Sequence, residues 1–256
     1  MTNYSKILTK VVRISSLLTL SLSSIQAHAQ LDKSKTYIVG TEATYAPYEY
    51  LNAKGELEGF DIDLVNYICK EIGIKCQVVN QSFEGLIPNL NYKKIDLAIA
   101  GFHPTKNRIK VVSFSDEYLP KTPNYYVVYK PAGFSSAQEL KTVGTQIGTS
   151  QAAYLEQKTS YKVVKYDTND LAYLDLAAKR IDAYLLDATV AKQTLAANSN
   201  FALLQPAVND DIFGLSGPAI AVKKGNKDLL AAINQAIAKA KSSGYIEQLK
   251  AKYKID

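Results

Sequence analysis

Histidine and cysteine are scarce in this chain, two of each in 256 residues. His28 falls within the first thirty residues, which leaves His103, Cys69 and Cys76 beyond them. Two cysteines and one histidine do not complete a tetrahedral metal site, so neither a metal nor another cofactor is expected. Past residue 30 no apolar run is long enough to cross a bilayer as a helix. Basic residues outnumber acidic ones by 30 to 24. They form no block with interleaved aromatics, so nucleic acid is not an expected partner.

What is present begins with "MTNYSKILTKVVRISSLLTLSLSSIQAHAQ". Lys6, Lys10 and Arg13 precede an apolar run rich in Ser and Leu, and Ala27-His28-Ala29 follows. This is the pattern of a signal peptide over residues 1–29, cut after Ala29. The alternative, a membrane anchor, is disfavoured because the run is short and broken by serines. No cysteine follows the cut, so a lipid-anchored form is not expected, and the mature chain is expected in the periplasm. The three leader cations account for half of the formal net charge of +6. About 225 residues remain, enough for one large α/β domain or two lobes of about 100 residues. In an oxidising compartment Cys69 and Cys76 read as a disulfide around Gly73, with metal ligation or free thiols as the alternatives.

Strand-like and helix-like segments alternate along the chain. "TYIVGTE" (36–42) reads as a strand. From Asp61, the apolar positions Ile62, Val65, Ile68, Cys69 and Ile72 mark one face of a helix, with Asp61 as its cap and Gly73 as its stop. "CQVVNQ" is a strand, "SFEGLIPNLNYKK" a short helix opened by Ser82, and "IDLAIAG" a buried strand. After the Pro-punctuated stretch "YLPKTPNYYVVYK", strand, helix, strand, helix and strand recur over residues 142–187. "KKIDLAIAG" (93–101) and "KRIDAYLLD" (179–187) resemble each other, which points to two similarly built lobes. The order predicts largely parallel sheets covered by helices. "GLSGPAIAVKKG" is one more strand. Leu229, Leu230, Ile233, Ile237 and Ala240 trace a helical stripe, and Ile246 and Leu249 mark a last amphipathic segment.

"GFDIDLVNYICKEI" (59–72) resembles the signature of the extracellular solute-binding proteins that feed polar amino acids to ABC importers. The likeness runs from "GTEATYAPYEY" to "SSGYIEQLKAKY" and is closest to the lysine/arginine/ornithine-, histidine- and arginine-binding proteins. Periplasmic members carry a cysteine pair with the spacing of Cys69 and Cys76. The resemblance implies an α/β fold of two lobes joined by two crossover strands, near Tyr118 to Pro123 and near Gly217 to Val222, with the ligand between the lobes. Lobe 1 would comprise residues 30–121 and 217–256, and lobe 2 residues 122–216. The signature helix and its disulfide would be scaffold.

A free amino acid brings a carboxylate and an ammonium, and burying either without a partner costs several kcal/mol, of order 3–5. Arg108 follows the buried strand ending at Ala100, where α/β sheets bind ligands, and a guanidinium can clasp a carboxylate through two parallel bonds. The resemblance gives Arg108 that role; otherwise it would read as a surface arginine. Thr149 and Ser150 open a lobe 2 helix whose free N–H groups suit the same carboxylate; a simple N-cap is the compatible alternative. The resemblance places Asp187 and the carbonyl of Gly101 against the α-amino group. His103 stands where relatives carry Ser or Thr, keeping the backbone donor without the hydroxyl; it substitutes as a donor or turns away, and no nucleophile accompanies it as a base. Tyr45 and Phe83 fall where relatives sandwich the ligand side chain between rings. Glu42 falls where binders of basic amino acids carry an acid. Core packing for Phe83 and solvent exposure for Glu42 are the alternatives. Asp96 and Asp182, at the opening ends of their strands, read as structural.

The function so implied is amino-acid binding by cleft closure for an inner-membrane ABC permease. Arginine is favoured, then lysine and ornithine; glutamine, histidine or another polar amino acid is the alternative. The chain is expected to be a monomer and not an enzyme, the rival being a dehydratase of the cyclohexadienyl type on the same fold.

Overall fold

The computed structural model describes residues 31–256. The expected leader and its cut after Ala29 lie outside the described residues. β1 (Thr36–Thr41) is followed by three short strands, β2 (Thr44–Tyr45), β3 (Glu49–Leu51) and β4 (Leu57–Glu58), which pair antiparallel as a small separate sheet. Helix α1 (Phe60–Ile72), β5 (Lys75–Asn80), α2 (Leu86–Asn91), β6 (Leu97–Ala98), the short α3 (Arg108–Val111) and β7 (Val112–Phe114) come next. The chain then forms β8 (Asn124–Tyr129), β9 (Thr142–Gln146), α4 (Ser150–Lys158), β10 (Lys162–Tyr166), α5 (Asn169–Ala177), β11 (Ala183–Asp187), α6 (Ala188–Ala197) and β12 (Phe201–Leu203). It ends with β13 (Ala221–Lys223), α7 (Lys227–Ser242) and α8 (Tyr245–Tyr253).

These elements make a mixed α/β, two-lobed fold. One sheet has the order β5-β1-β6-β13-β7 and the other β10-β9-β11-β8-β12. In each, two pairings are parallel and two antiparallel, because four strands run one way and a single strand, β13 or β8, runs against them. The sheets are therefore less uniformly parallel than the alternation predicts. The reversed strands, β8 and β13, are those the chain enters first after each of the two passages between the sheets. The passages run side by side: Tyr118 N donates to Pro218 O at 3.0 Å and Ser115 N to Ile220 O at 2.9 Å. A Cβ on Gly217 would come within 1.9 Å of Leu119 O, so only glycine permits this approach.

The twin motifs have the same local construction. Asp96 accepts the N–H of Ile38, and Asp182 accepts those of Lys141 and Thr142, so each acid fastens its strand to the parallel neighbour, β1 or β9. Lys93 and Lys179, two residues before each isoleucine, both adopt left-handed backbone, at φ 58° and 59°.

Helix α1 begins one residue earlier than its periodicity suggests. Gly59, at φ 135°, precedes it and lies against the Tyr48 carbonyl, where a Cβ would sit at 2.2 Å. Asp61 is thus not the cap but a fully buried residue of the first turn. Phe60, Leu64, Val65 and Ile68 are buried in the lobe 1 core, where α1 packs on α7 and α8. Gly73 ends the helix in left-handed conformation, its N–H bonding back to Cys69 and Lys70. Cys69 and Cys76 are disulfide-bonded, with Cα atoms 6.2 Å apart.

Candidate functional site

The carboxyl ends of β1, β6, β9 and β11 point toward the crevice between the sheets, and the loops after them supply its walls. The cavity there is narrow in this structure, about 30 Å³. Glu42, Tyr45, Phe83, Gly101, His103, Arg108, Thr149 and Ser150 all line it. The ninth predicted residue, Asp187, lies just behind the wall formed by Leu185 and Leu186, 2% exposed.

Arg108 starts α3 and is 8% exposed. Its Nη1 donates to His103 O and its Nη2 crosses to Gly148 O of the other lobe, both at 3.0 Å. The guanidinium carbon lies 4.2 Å from the Phe102 ring centroid and 5.3 Å from that of Phe83. Phe83 therefore borders the cleft and also packs the arginine, meeting Phe102 edge to face. Burial pushes the guanidinium down to about 9, so it remains charged at neutral pH. Among the described residues no carboxylate pairs with it.

Thr149 caps α4 by accepting the Ala152 N–H at 3.1 Å, and its hydroxyl donates to Gln146 O. Ser150 is the first helical residue and is buried. Gly148, at φ +77°, approaches Glu84 of lobe 1, where a Cβ would stand 3.1 Å from the Glu84 Cα. Gly101, at φ +52°, is covered by the Tyr45 ring, which in turn lies parallel to Tyr48 at 5.8 Å.

His103 has turned its ring from the cleft centre toward the returning passage. Its Nδ1 is 3.1 Å from Ser216 O, so this nitrogen carries the proton and Nε2 faces Asp187 Oδ2 at 3.9 Å. Burial holds its pKa below the usual histidine value, in keeping with a neutral ring. Asp187 accepts the N–H of Thr189 at 2.9 Å, capping α6, and the hydroxyl of Thr122.

Glu42 is 4% exposed. One oxygen accepts the Thr44 hydroxyl at 2.7 Å, and the other, Oε2, is buried without a partner. Desolvation pushes this carboxyl up. Beside it lies a group that residue-by-residue inspection of the sequence did not find. Asn169, which opens α5, donates from its backbone and its side chain to Thr44 Oγ1, both at 3.1 Å. Asn169 also bonds Gln146 and accepts the Tyr184 hydroxyl. Thr145, Gln146, Asn169 and Tyr184 line the cleft with Glu42. They come from segments far apart in sequence, Asn169 lying 125 positions from the Thr44 it bonds, and each reads locally as a helix cap or strand residue. No cluster of potential metal ligands occurs among the described residues. The site is thus a crevice lined both by an arginine that pairs with no carboxylate among the described residues and by a carboxylate with one unpartnered oxygen.

The model of the bacterial extracellular solute-binding proteins, family 3, matches residues 37–255. The ABC transporter arginine-binding protein 1 of Escherichia coli K12 is 34% identical over 213 residues, 82% of this chain and 87% of that protein. The histidine-binding periplasmic protein of Salmonella typhimurium is 35% identical over 253 residues, 92% of this chain and 96% of its own. Among solved structures, a periplasmic binding protein of Salmonella typhimurium described as highly specific for arginine superposes with a TM-score of 0.82. It is 37% identical and covers 86% of this chain and 99% of its own.

Proposed function

The chain belongs to the bacterial extracellular solute-binding proteins, family 3, and from that premise we propose that it is the periplasmic binding component of an amino-acid ABC transporter. It closes on a basic amino acid, arginine before lysine or ornithine. The observation that carries this reading is the charge in the crevice wall: it holds both Arg108, without a carboxylate partner among the described residues, and Glu42, whose Oε2 has no donor. An α-carboxylate pairs with Arg108 and the N–H groups of Thr149 and Ser150, the α-ammonium with Asp187 and the Gly101 carbonyl. The ligand stem lies between Tyr45 and Phe83, and its terminal cation donates to Glu42, gaining about 0.5–2 kcal/mol from each ring face. The Asp187 contact requires its wall to open by a small shift, since Thr122 and Thr189 already bond its oxygens.

In this reading residues 30–121 with 217–256 form lobe 1 and residues 122–216 form lobe 2. The leader over residues 1–29 directs export, the monomer carries the ligand, and an inner-membrane permease recognises the closed form. The chain performs no covalent step. Thermal-shift screening of the mature protein against the twenty amino acids, ornithine and citrulline tests the assignment, because a ligand bound only by the folded state raises Tm. Arginine is expected to give the largest shift. A strong response to glutamine or glutamate with none to arginine or lysine refutes the role of Glu42. A histidine response supports the second reading, which the 35% identical histidine-binding relative favours. Phenylpyruvate formation from prephenate would identify the dehydratase alternative.

A further inference from the structure

At the floor of the crevice, two carboxyl groups lie together where both cannot be ionised. Glu49 of β3, which lines the crevice, and Asp61 of α1 are 1% and 0% exposed, and the Asp61 N–H donates to the carbonyl of Tyr48, the residue before Glu49, at 2.8 Å, which brings the two side chains together. Asp61 Oδ2 accepts the N–H of Gly101 at 2.8 Å and the hydroxyl of Tyr118 at 2.7 Å. The oxygens left over, Asp61 Oδ1 and Glu49 Oε2, are buried and lack a donor. Ionised carboxylates are acceptors only, so a bond between two of them needs a proton. One proton satisfies both leftover oxygens; without it, two like charges touch in a dry site.

We propose that Glu49 is a carboxylic acid at neutral pH that donates its proton to Asp61, and that this pair positions Gly101 by tying its amide to Tyr118 on the passage between the lobes. The surrounding groups agree. Glu42, beyond the end of β1, adds negative charge toward Glu49. Tyr48 and Tyr118 present phenols whose pKa values burial raises. Arg108 and His103 line the same crevice, but among the described residues no cation pairs with either carboxyl. Burial pushes both carboxyls up, Asp61 to about 6, and the Asp61 charge carries Glu49 further. The inference also assigns work to the signature stretch "GFDID": its first acid holds the crevice floor. It rests on the proposed function only for what Gly101 touches.

The proton is tested without ligand. In protein labelled with carbon-13 at the glutamate carboxyl, one signal at pH 7 is expected at the protonated position, and Glu49→Gln is expected to remove it. A spectrum with every glutamate ionised overturns the proposal. The second measurement is urea unfolding between pH 7.5 and 9, above the range in which Asp61 titrates. Folded wild type keeps a proton that the unfolded chain has released, so its folding constant falls about tenfold for each pH unit. Glu49→Gln has no such proton, and the ratio of variant to wild-type folding constants is expected to rise by that factor per unit. A ratio independent of pH, as a purely structural role gives, overturns the shared proton. In hydrogen exchange, the Gly101 amide is expected to open about tenfold faster or more in Asp61→Ala than in Glu49→Gln; equal rates overturn the positioning role. Failure of all variants and wild type to bind any amino acid, with these results intact, supports the pair and refutes the ligand assignment instead.

Discussion

Arg108 carries a charge into a space where it is 8% exposed, and removing such a group from water costs several kcal/mol, of order 3–5. Two carbonyl oxygens and two aromatic faces offset part of that cost. They engage two of the five N–H donors of the guanidinium, leaving the rest for a planar anion. Lysine keeps the charge but not the fork. Arg108→Lys is therefore expected to weaken arginine binding by about 2–4 kcal/mol, roughly 30- to 1000-fold, in titration calorimetry. An affinity within threefold of wild type would remove Arg108 from the site. The legibility of single residues varied with how local their signal is. Asp187 ends a recognisable strand, Arg108 lies in the loop segment that follows another, and both fall in family motifs, so their place is readable, although the cap that Asp187 makes for α6 is not. Asn169 carried the opposite message: in "TND" it reads as helix initiation, and only the packing of lobe on lobe brings it to Thr44.

At the scale of elements, periodicity was informative wherever one face is buried. The stripe of α7 appears in the structure with Leu229, Ile233, Ile237 and Ala240 buried, and α8 buries Ile246 and Leu249. Helix α6 escaped notice because "ATVAKQTLAA" has small residues where a stripe would show; it buries only Ala188, Val190 and Ala191. β8 was hidden by the flanking prolines, yet its "NYYVVY" lies between β11 and β12. The start of α1 was misassigned because acids favour caps, whereas here a glycine approach to Tyr48 sets the boundary and frees Asp61 for the core. The far end of the same helix is fixed by the Cys69–Cys76 bond. A loop this short contributes about 2–3 kcal/mol through the unfolded state. The Cys69→Ser/Cys76→Ser protein is expected to melt about 5–10 °C lower, with arginine affinity retained because neither cysteine lines the crevice. A Tm within 1–2 °C of wild type would show that α1 and β5 hold this corner unaided.

For the whole molecule, the function turns on the balance between open and closed lobes, and a ligand shifts that balance only by its differential affinity. Two hydrogen-bonded contacts in this structure span the lobes beside the ligand space: Arg108 to Gly148, and Asn169 to Thr44. The second is special because Thr44 accepts from Asn169 while donating to Glu42. Closure thus fixes the hydroxyl that orients the carboxylate proposed to choose the ligand, and selectivity and closure share one network. Asn169→Ala removes the side-chain bond to Thr44 and leaves Gln146 and Tyr184 without their partner. At about 0.5–1.5 kcal/mol for a net hydrogen bond, arginine affinity is expected to fall about 2- to 13-fold. Most of the change belongs in the dissociation rate, since the encounter with an open lobe is untouched. Stopped-flow fluorescence checks it: faster dissociation with association within a factor of about two supports the latch, and an unchanged dissociation rate removes it. Comparing arginine with glutamine in the same variant separates the two effects of the network. A loss equal for both ligands assigns Asn169 to closure alone, whereas a larger loss for arginine shows that the orientation of Glu42 travels through Thr44.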